Sequence, residues 1–183
     1  NWVYRLRSKC DAVIVGGGTV RHDDPLLTSR GLSNPEPLRV VLTRSLDLPS
    51  NAQLWNTTKA KTLIAYAADS CKESNIQLPP SPDRLILGAS EPHELLKALA
   101  KKDCNKVLWE CGPSLATSAI HNSCVQELAI VVAPKVLGGL SAMTPLADLG
   151  FTSMNEVPFL TNGSLQRLGE DWLFTIPLLS KKG

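Results

Sequence analysis

Three short stretches of the chain combine residue types that bind ligands or handle charge. The first is Gly16-Gly17-Gly18-Thr19, followed by Asp23-Asp24-Pro25 and then Leu27-Thr28-Ser29-Arg30. Glycines directly after an apolar run allow positive φ and let a ligand approach the backbone closely. A dinucleotide fingerprint needs G-x-G-x-x-G opening a helix. Here Arg21 stands in the third glycine's place. Asp24-Pro25 also interrupts a helix, because the residue before proline avoids helical geometry. A glycine-rich turn beside a solvated acidic pair accounts for the same residues.

The second stretch is Trp109-Glu110-Cys111-Gly112-Pro113-Ser114-Leu115. It puts a carboxylate at the C-terminal end of a strand, the edge where open α/β sheets bind ligands. Gly112-Pro113 then opens a helix whose free first-turn N–H groups and dipole suit a phosphate. Glu110 taken alone also fits a structural carboxylate. The third stretch, Ala133-Pro134-Lys135-Val136-Leu137-Gly138-Gly139, reads by itself as a strand, a turn and a glycine stop.

The elements that must position these groups follow from periodicity. Apolar runs at residues 11–15 and 38–42 predict buried strands, the first stopping at a tight glycine loop. Residues 62–67 and 84–87 predict two more strands, and the polar, proline-bearing stretch 73–82 a surface loop. Residues 3–9 predict the end of a helix that is basic in its last turn. The clearest helix is 91–102, with Ser90 as N-cap and Leu95, Leu96, Leu99 and Ala100 as its apolar stripe. A strand at 106–109, a small-residue helix at 113–120 and a buried strand at 128–133 come next. Residues 165–168 and 172–176 alternate around Gly169-Glu170-Asp171 and predict an antiparallel hairpin. Strands alternating with helices predict one mixed, mostly parallel sheet with an antiparallel edge, in a single domain.

Bulk properties set the function classes. A net charge of +2 argues against a nucleic-acid partner, so any basic site must be local. No apolar run reaches the roughly 18 residues of a membrane span. The five cysteines, Cys10, Cys71, Cys104, Cys111 and Cys124, are odd in number and include no C-x-x-C pair. That predicts free thiols in a reducing compartment rather than a disulfide framework or a zinc site. His22, His93 and His121 fall in expected loop or surface contexts, and none is placed as an obligatory acid.

The three stretches together resemble the reductase domain of the bifunctional riboflavin biosynthesis deaminase/reductase. The segments RLRSKCDAVIVGGGTVRHDDPLLTSR, PLRVVL, ECGPSLA and LAIVVAPKVLGG match in order and spacing along almost the whole chain. The tail DLGFTSMNEV looks closest to cyanobacterial and plant members. The resemblance implies a dihydrofolate-reductase-like fold over residues 1–183, a single reductase domain lacking the family's first strand. It implies reduction by NADPH of the ribosyl group of 5-amino-6-(5-phosphoribosylamino)uracil to ribityl, with hydride delivered to the ring-opened imine. A homo-oligomer, as a homodimer, is expected, with a deaminase domain fused in the parent protein. The expected location is the plastid for a plant source and the cytoplasm for a bacterial one.

Residue by residue, the resemblance gives Arg7, Leu27, Arg30 and Glu110 to the phosphorylated ribosylaminopyrimidine substrate. Glu110 is the candidate for polarising it or passing a proton. Thr19, Asp23 and Arg44 fall to the cofactor, Arg44 as a candidate for the 2′-phosphate or else a solvent-facing strand-end charge. Gly112, Pro113, Ser114, Leu115, Ala116, Thr117 and Ser118 would cradle the pyrophosphate. Two other readings stay open: a dihydrofolate-reductase-like enzyme for another pterin or pyrimidine, and a non-catalytic nucleotide-binding domain kept for assembly.

Overall fold

The computed structural model describes residues 2–71, 82–139, 142, 144–157, 160 and 162–178. The predicted loop at 73–82 therefore lies, except for its last residue, outside the described residues. Five strands are β1 (Ala12–Gly16), β2 (Leu38–Leu42), β3 (Thr62–Ala67), β4 (Asp83–Leu87) and β5 (Val107–Trp109). They form one parallel sheet in the order β4-β3-β2-β1-β5. β1, β2 and β3 are near-continuous apolar runs buried almost throughout. That is the signature of parallel strands covered on both faces.

Successive residues of a strand face opposite ways. Val13 and Val15 of β1 join Val20, Leu54 and Trp55 in one core. Ala12 and Ile14 join Leu95 and Leu99 in the other. The helices divide accordingly. α2 (Gly17–Asp23) supplies Val20 to the first face, while α3 (Pro92–Ala100) and Leu115 of α4 (Pro113–His121) cover the second. α1 (Trp2–Arg7) precedes β1. None of the described helices is long and apolar enough to cross a membrane.

Three expectations need correction. Gly16-Gly17-Gly18 does not form a tight loop: Gly16 is extended at φ −89 and ψ 159, and α2 starts at the next residue. The Asp24-Pro25 break does operate, but later, with Asp24 left-handed at φ 40 just past the helix end. Ser90 is not the N-cap of α3, because the helix begins at Pro92 and Glu91 is the cap. The Ser90 hydroxyl instead accepts the Ala67 N–H at 2.8 Å and donates to the Thr43 carbonyl at 3.1 Å. It fastens the ends of β2 and β3 together.

The third correction concerns the second half of the chain. β6 (Glu127–Val132), β7 (Ser164–Leu168) and β8 (Asp171–Pro177) form a separate antiparallel sheet in the order β6-β8-β7. The hairpin predicted around Gly169 is there, as β7 and β8. β6, however, is not a buried strand of the parallel sheet. Its Ile130, Val131 and Val132 are 40–45% exposed. A continuous apolar run reads as buried, yet burial depends on what covers each face. Among the described residues β6 pairs only with β8.

A buried cation sits in the sheet itself. Arg39 of β2 is fully buried, and its guanidinium donates to the carbonyls of Leu54 (2.9 Å), Asn56 (2.9 Å) and Ala60 (2.6 Å). A weaker bond reaches the carbonyl of Leu26 at 3.4 Å. Its Nε has no hydrogen-bond partner among the described residues, and burial pushes the guanidinium pKa down. An orphaned buried carbonyl costs about 1–3 kcal/mol. Arg39→Met should therefore lower stability by about 2–4 kcal/mol in urea denaturation, despite similar apolar bulk. A variant as stable as the parent would show that the carbonyls find other donors.

Candidate functional site

Parallel strands release their chains at one edge, and the register fixes the level of each exit. Gly16 lies opposite Leu42, Leu42 opposite Ala65, and Ile14 opposite Trp109. The Glu110 N–H also donates to the Ile14 carbonyl at 2.9 Å. The start of α2, the Thr43-Arg44-Ser45 segment and Glu110 therefore reach the same edge of the sheet.

A cavity of about 690 Å³ opens there, within the usual size of cofactor sites. Its walls include Thr19, Asp23, Arg44, Gly112, Pro113, Ser114, Leu115 and Ser118. All eight are among the residues expected from sequence. Ala116 and Thr117 are not part of the wall, because helical periodicity carries only Ser114, Leu115 and Ser118 round to it. The Thr117 hydroxyl accepts the Ala147 N–H at 2.8 Å and donates to the Ala147 carbonyl at 3.4 Å. It tethers the segment between β6 and β7.

The start of α4 forms part of the cavity wall. Gly112, extended at φ −71 and ψ 173, leaves α4 with no side-chain cap, and Pro113 occupies its first position. Uncapped first-turn amides with the helix dipole behind them form a site for anionic oxygen. Gly17 packs closely: a Cβ there would lie 3.2 Å from Thr43 Oγ1, tighter than an ordinary contact. This brings α2 close to the segment that carries Arg44.

The rim carries three basic side chains. Arg21 donates to the Asp47 carbonyl at 2.5 Å and lies 3.5 Å from its carboxylate. Arg44 is exposed and makes no ion pair among the described residues. His22, expected in a surface context, stands on α2 and lines this cavity, as do Ser45, Ser90 and Glu91. Sequence reasoning missed these four. His22 lies three residues beyond Thr19, the spacing of neighbours on one helical face, but that signal appears only once a helix starts at Gly17.

A second cavity of about 510 Å³ adjoins the first, lined by Thr19, Asp23, Pro25, Leu27, Trp109, Glu110, Cys111 and Gly112. Thr19, Asp23 and Gly112 belong to both walls. The Glu110 carboxylate is gripped by Arg7, with Nε on Oε2 at 2.9 Å and Nη2 on Oε1 at 2.5 Å. Arg7 Nη1 also donates to the Thr28 carbonyl at 3.0 Å. Arg7, expected to hold substrate, thus commits its fork to orienting Glu110 and the loop after Pro25. Leu27 keeps its side chain in the core with its backbone left-handed at φ 54. Arg30 lies outside both walls, its guanidinium 4.6 Å from the centre of the Tyr4 ring.

Residues 1–174 match the family model of the RibD C-terminal domain. The riboflavin biosynthesis protein RibD of Synechocystis sp. is 45% identical over 96% of this chain and 48% of its own length. The riboflavin biosynthesis protein PYRR, chloroplastic, of Arabidopsis thaliana is 37% identical over 93% of this chain and 29% of its own length. The chain thus spans about half of the cyanobacterial relative and less than a third of the plant one. A solved deaminase/5-amino-6-(5-phosphoribosylamino)uracil reductase from Thermotoga maritima superposes with a TM-score of 0.79. It covers 96% of this chain and 47% of that one at 21% identity, a likeness of fold.

The site includes one thiol whose reactivity is predictable. Burial pushes Cys111 up to about 12, and the thiolate is the nucleophile. At pH 7.5 only about one part in 10⁴–10⁵ is thiolate. Iodoacetamide should therefore spare Cys111 near neutrality, with its rate rising about tenfold per pH unit up to about pH 12, as peptide mass mapping would record. Rapid labelling at pH 7.5 would refute the raised pKa of this half-buried thiol.

Proposed function

The chain belongs to the RibD C-terminal domain family, and we propose that it reduces the ribosyl group of 5-amino-6-(5-phosphoribosylamino)uracil to ribityl with NADPH, in riboflavin biosynthesis. The observation that carries this reading is the pair of adjoining cavities with Thr19, Asp23 and Gly112 in their common wall. Hydride transfer needs donor and acceptor carbons held in contact, and a shared wall supplies that alignment.

The residues of the larger cavity fit the cofactor. The uncapped amides at the start of α4 would take the pyrophosphate, with Ser114 and Ser118 beside them. Arg44 at the rim would pair with the 2′-phosphate, the usual mark of NADP over NAD. NADPH, when bound, would supply hydride to the sugar carbon attached to nitrogen.

The chain's own groups do the remaining work. Each Glu110 oxygen takes one hydrogen bond from Arg7 and keeps further acceptor capacity toward the smaller cavity. A carboxylate so held can accept a hydroxyl hydrogen of the opened sugar, or relay its proton, without moving. Arg30 would grip the substrate's phosphate from outside that cavity, a fork that suits phosphate oxygens. Leu27 closes the wall between them.

Residues 1–183 would act as the reductase unit of a longer protein, joined to a deaminase unit as the Thermotoga protein's name describes. Assembly as a homodimer is supported by the apolar, 37–45% exposed Ile130, Val132, Trp172 and Phe174 on β6 and β8. A plant source would place the protein in the plastid, as the Arabidopsis relative's name says of that protein. A bacterial source would place it in the cytoplasm.

Two measurements test the reading. Arg44→Ala should weaken NADPH by about 1.5–3 kcal/mol, the scale of a charge-assisted hydrogen bond, and leave NADH nearly unchanged in fluorescence titration. Equal losses for both cofactors would refute the 2′-phosphate role. In steady-state kinetics of the full-length protein, Glu110→Gln should lower kcat, because it keeps size but removes charge. Arg30→Ala should mainly raise KM, because a phosphate remote from the reacting carbon is held equally in ground and transition states. Full turnover in Glu110→Gln together with an unchanged KM in Arg30→Ala would overturn the assignment.

A further inference from the structure

The loop that carries Arg30 adopts a conformation its sequence does not favour. Leu27, Arg30 and Gly31 have φ of 54, 57 and 80, so two non-glycine residues in four lie in the left-handed region. Such a conformation persists only where surrounding contacts over-determine it. One side chain supplies the main contacts. Glu36 Oε2 accepts the Ser29 N–H at 2.6 Å and Oε1 accepts the Gly31 N–H at 2.8 Å. These are the amides immediately before and after Arg30. Ser29 adds a second tie: its hydroxyl accepts the Ser33 N–H at 3.1 Å and lies 3.0 Å from the Ser33 hydroxyl.

The clamp has a direction. With both flanking residues fixed, the Arg30 guanidinium lies over the Tyr4 ring, the same ring that Arg7, the partner of Glu110, lies over. Glu36 follows Arg30 by six residues and precedes the buried Arg39 by three, so it links the loop to the sheet. Burial pushes the Glu36 carboxyl up, but the Ser29 and Gly31 amides, with Arg39 nearby, hold it below the usual carboxylate range. It stays an acceptor on both oxygens through neutral pH.

We propose that Glu36 is a positioning residue, whose carboxylate fixes the Arg30 loop so that the guanidinium meets the substrate's phosphate. The inference rests on the substrate role given to Arg30 above. Glutamine is the informative replacement. It keeps one acceptor oxygen but turns an NH₂ toward an amide that must donate, so one arm of the clamp is lost.

The test is a double-mutant cycle in the full-length protein, read by kinetics on the phosphoribosylaminopyrimidine at saturating NADPH. Glu36→Gln should raise KM about 12- to 150-fold, the equivalent of one lost charge-assisted hydrogen bond, with kcat within about twofold and NADPH affinity unchanged. In the Arg30→Ala background the same change should add nothing, because Glu36 acts through Arg30. Glu36→Asp, which keeps the charge near Arg39 but is too short for both amides, should show the same KM rise and covers a poorly folding glutamine variant. An unchanged KM in Glu36→Gln beside a raised one in Arg30→Ala, or additive effects in the double variant, overturns the proposal. An unchanged KM in Arg30→Ala removes the substrate role of Arg30 itself, and the positioning role falls with it.

Discussion

With β2 on one side of β1 and β5 on the other, both parallel to it, three segments distant in sequence leave the sheet at one level. The helix start after β1, the arginine after β2 and the glutamate after β5 are neighbours for no other reason. Antiparallel pairing of any one of them would send its functional residues to the opposite edge. The small covering helices follow from the same constraint, since each must start at that edge and run back along the sheet. α2 and α4 accordingly present their N-termini to the cavity, and Gly17 permits the close approach of α2 to Thr43.

Below this edge lies a charged framework that the apolar cores do not supply. Arg39 gathers carbonyls from Leu26, Leu54, Asn56 and Ala60. Glu36 takes the amides around Arg30. Arg7 joins Glu110 to Thr28. Each carries a charged group that must be paired or hydrogen-bonded where it is buried. The loop from Pro25 to Glu36 has few buried apolar side chains, with Leu27 the main exception, so polar contacts define its shape. Left-handed backbone at Leu27 and Arg30 is affordable on such a support and would not survive in a loop held by packing alone.

Much of this was legible in the residues. The first three strands read clearly because runs such as AVIVG and LRVVL have one physical explanation, burial on both faces. The β7–β8 hairpin was legible from its alternation around Gly169. Eight of the ten cofactor-side candidates line one cavity, because strand-end and helix-start residues of a parallel sheet converge by topology. The failures share a cause: each depended on contacts distant in sequence. β6 looks buried from its composition, but its Ile130, Val131 and Val132 are 40–45% exposed. Ser90 has the chemistry of a cap, yet its hydroxyl is claimed by β2 and β3. Arg7 looks like a free substrate ligand until Glu110, 103 positions away, is found in its fork. Glu36 carries no motif at all, and only the folded loop shows its carboxylate holding the Ser29 and Gly31 amides.

The wall common to the two cavities has a thermodynamic consequence. Thr19, Asp23 and Gly112 face both spaces, so a ligand in one space alters the surroundings of any ligand in the other. Binding free energies obey reciprocity: whatever factor the first ligand applies to the affinity of the second, the second applies to the first. Side chains ordered by one occupant are already ordered for the next, which favours joint occupancy over either ligand alone. The loss of one occupant on turnover would then loosen the grip on the other. Substitutions at these three positions cannot tune the two affinities separately, which confines independent adaptation of either ligand to the far walls.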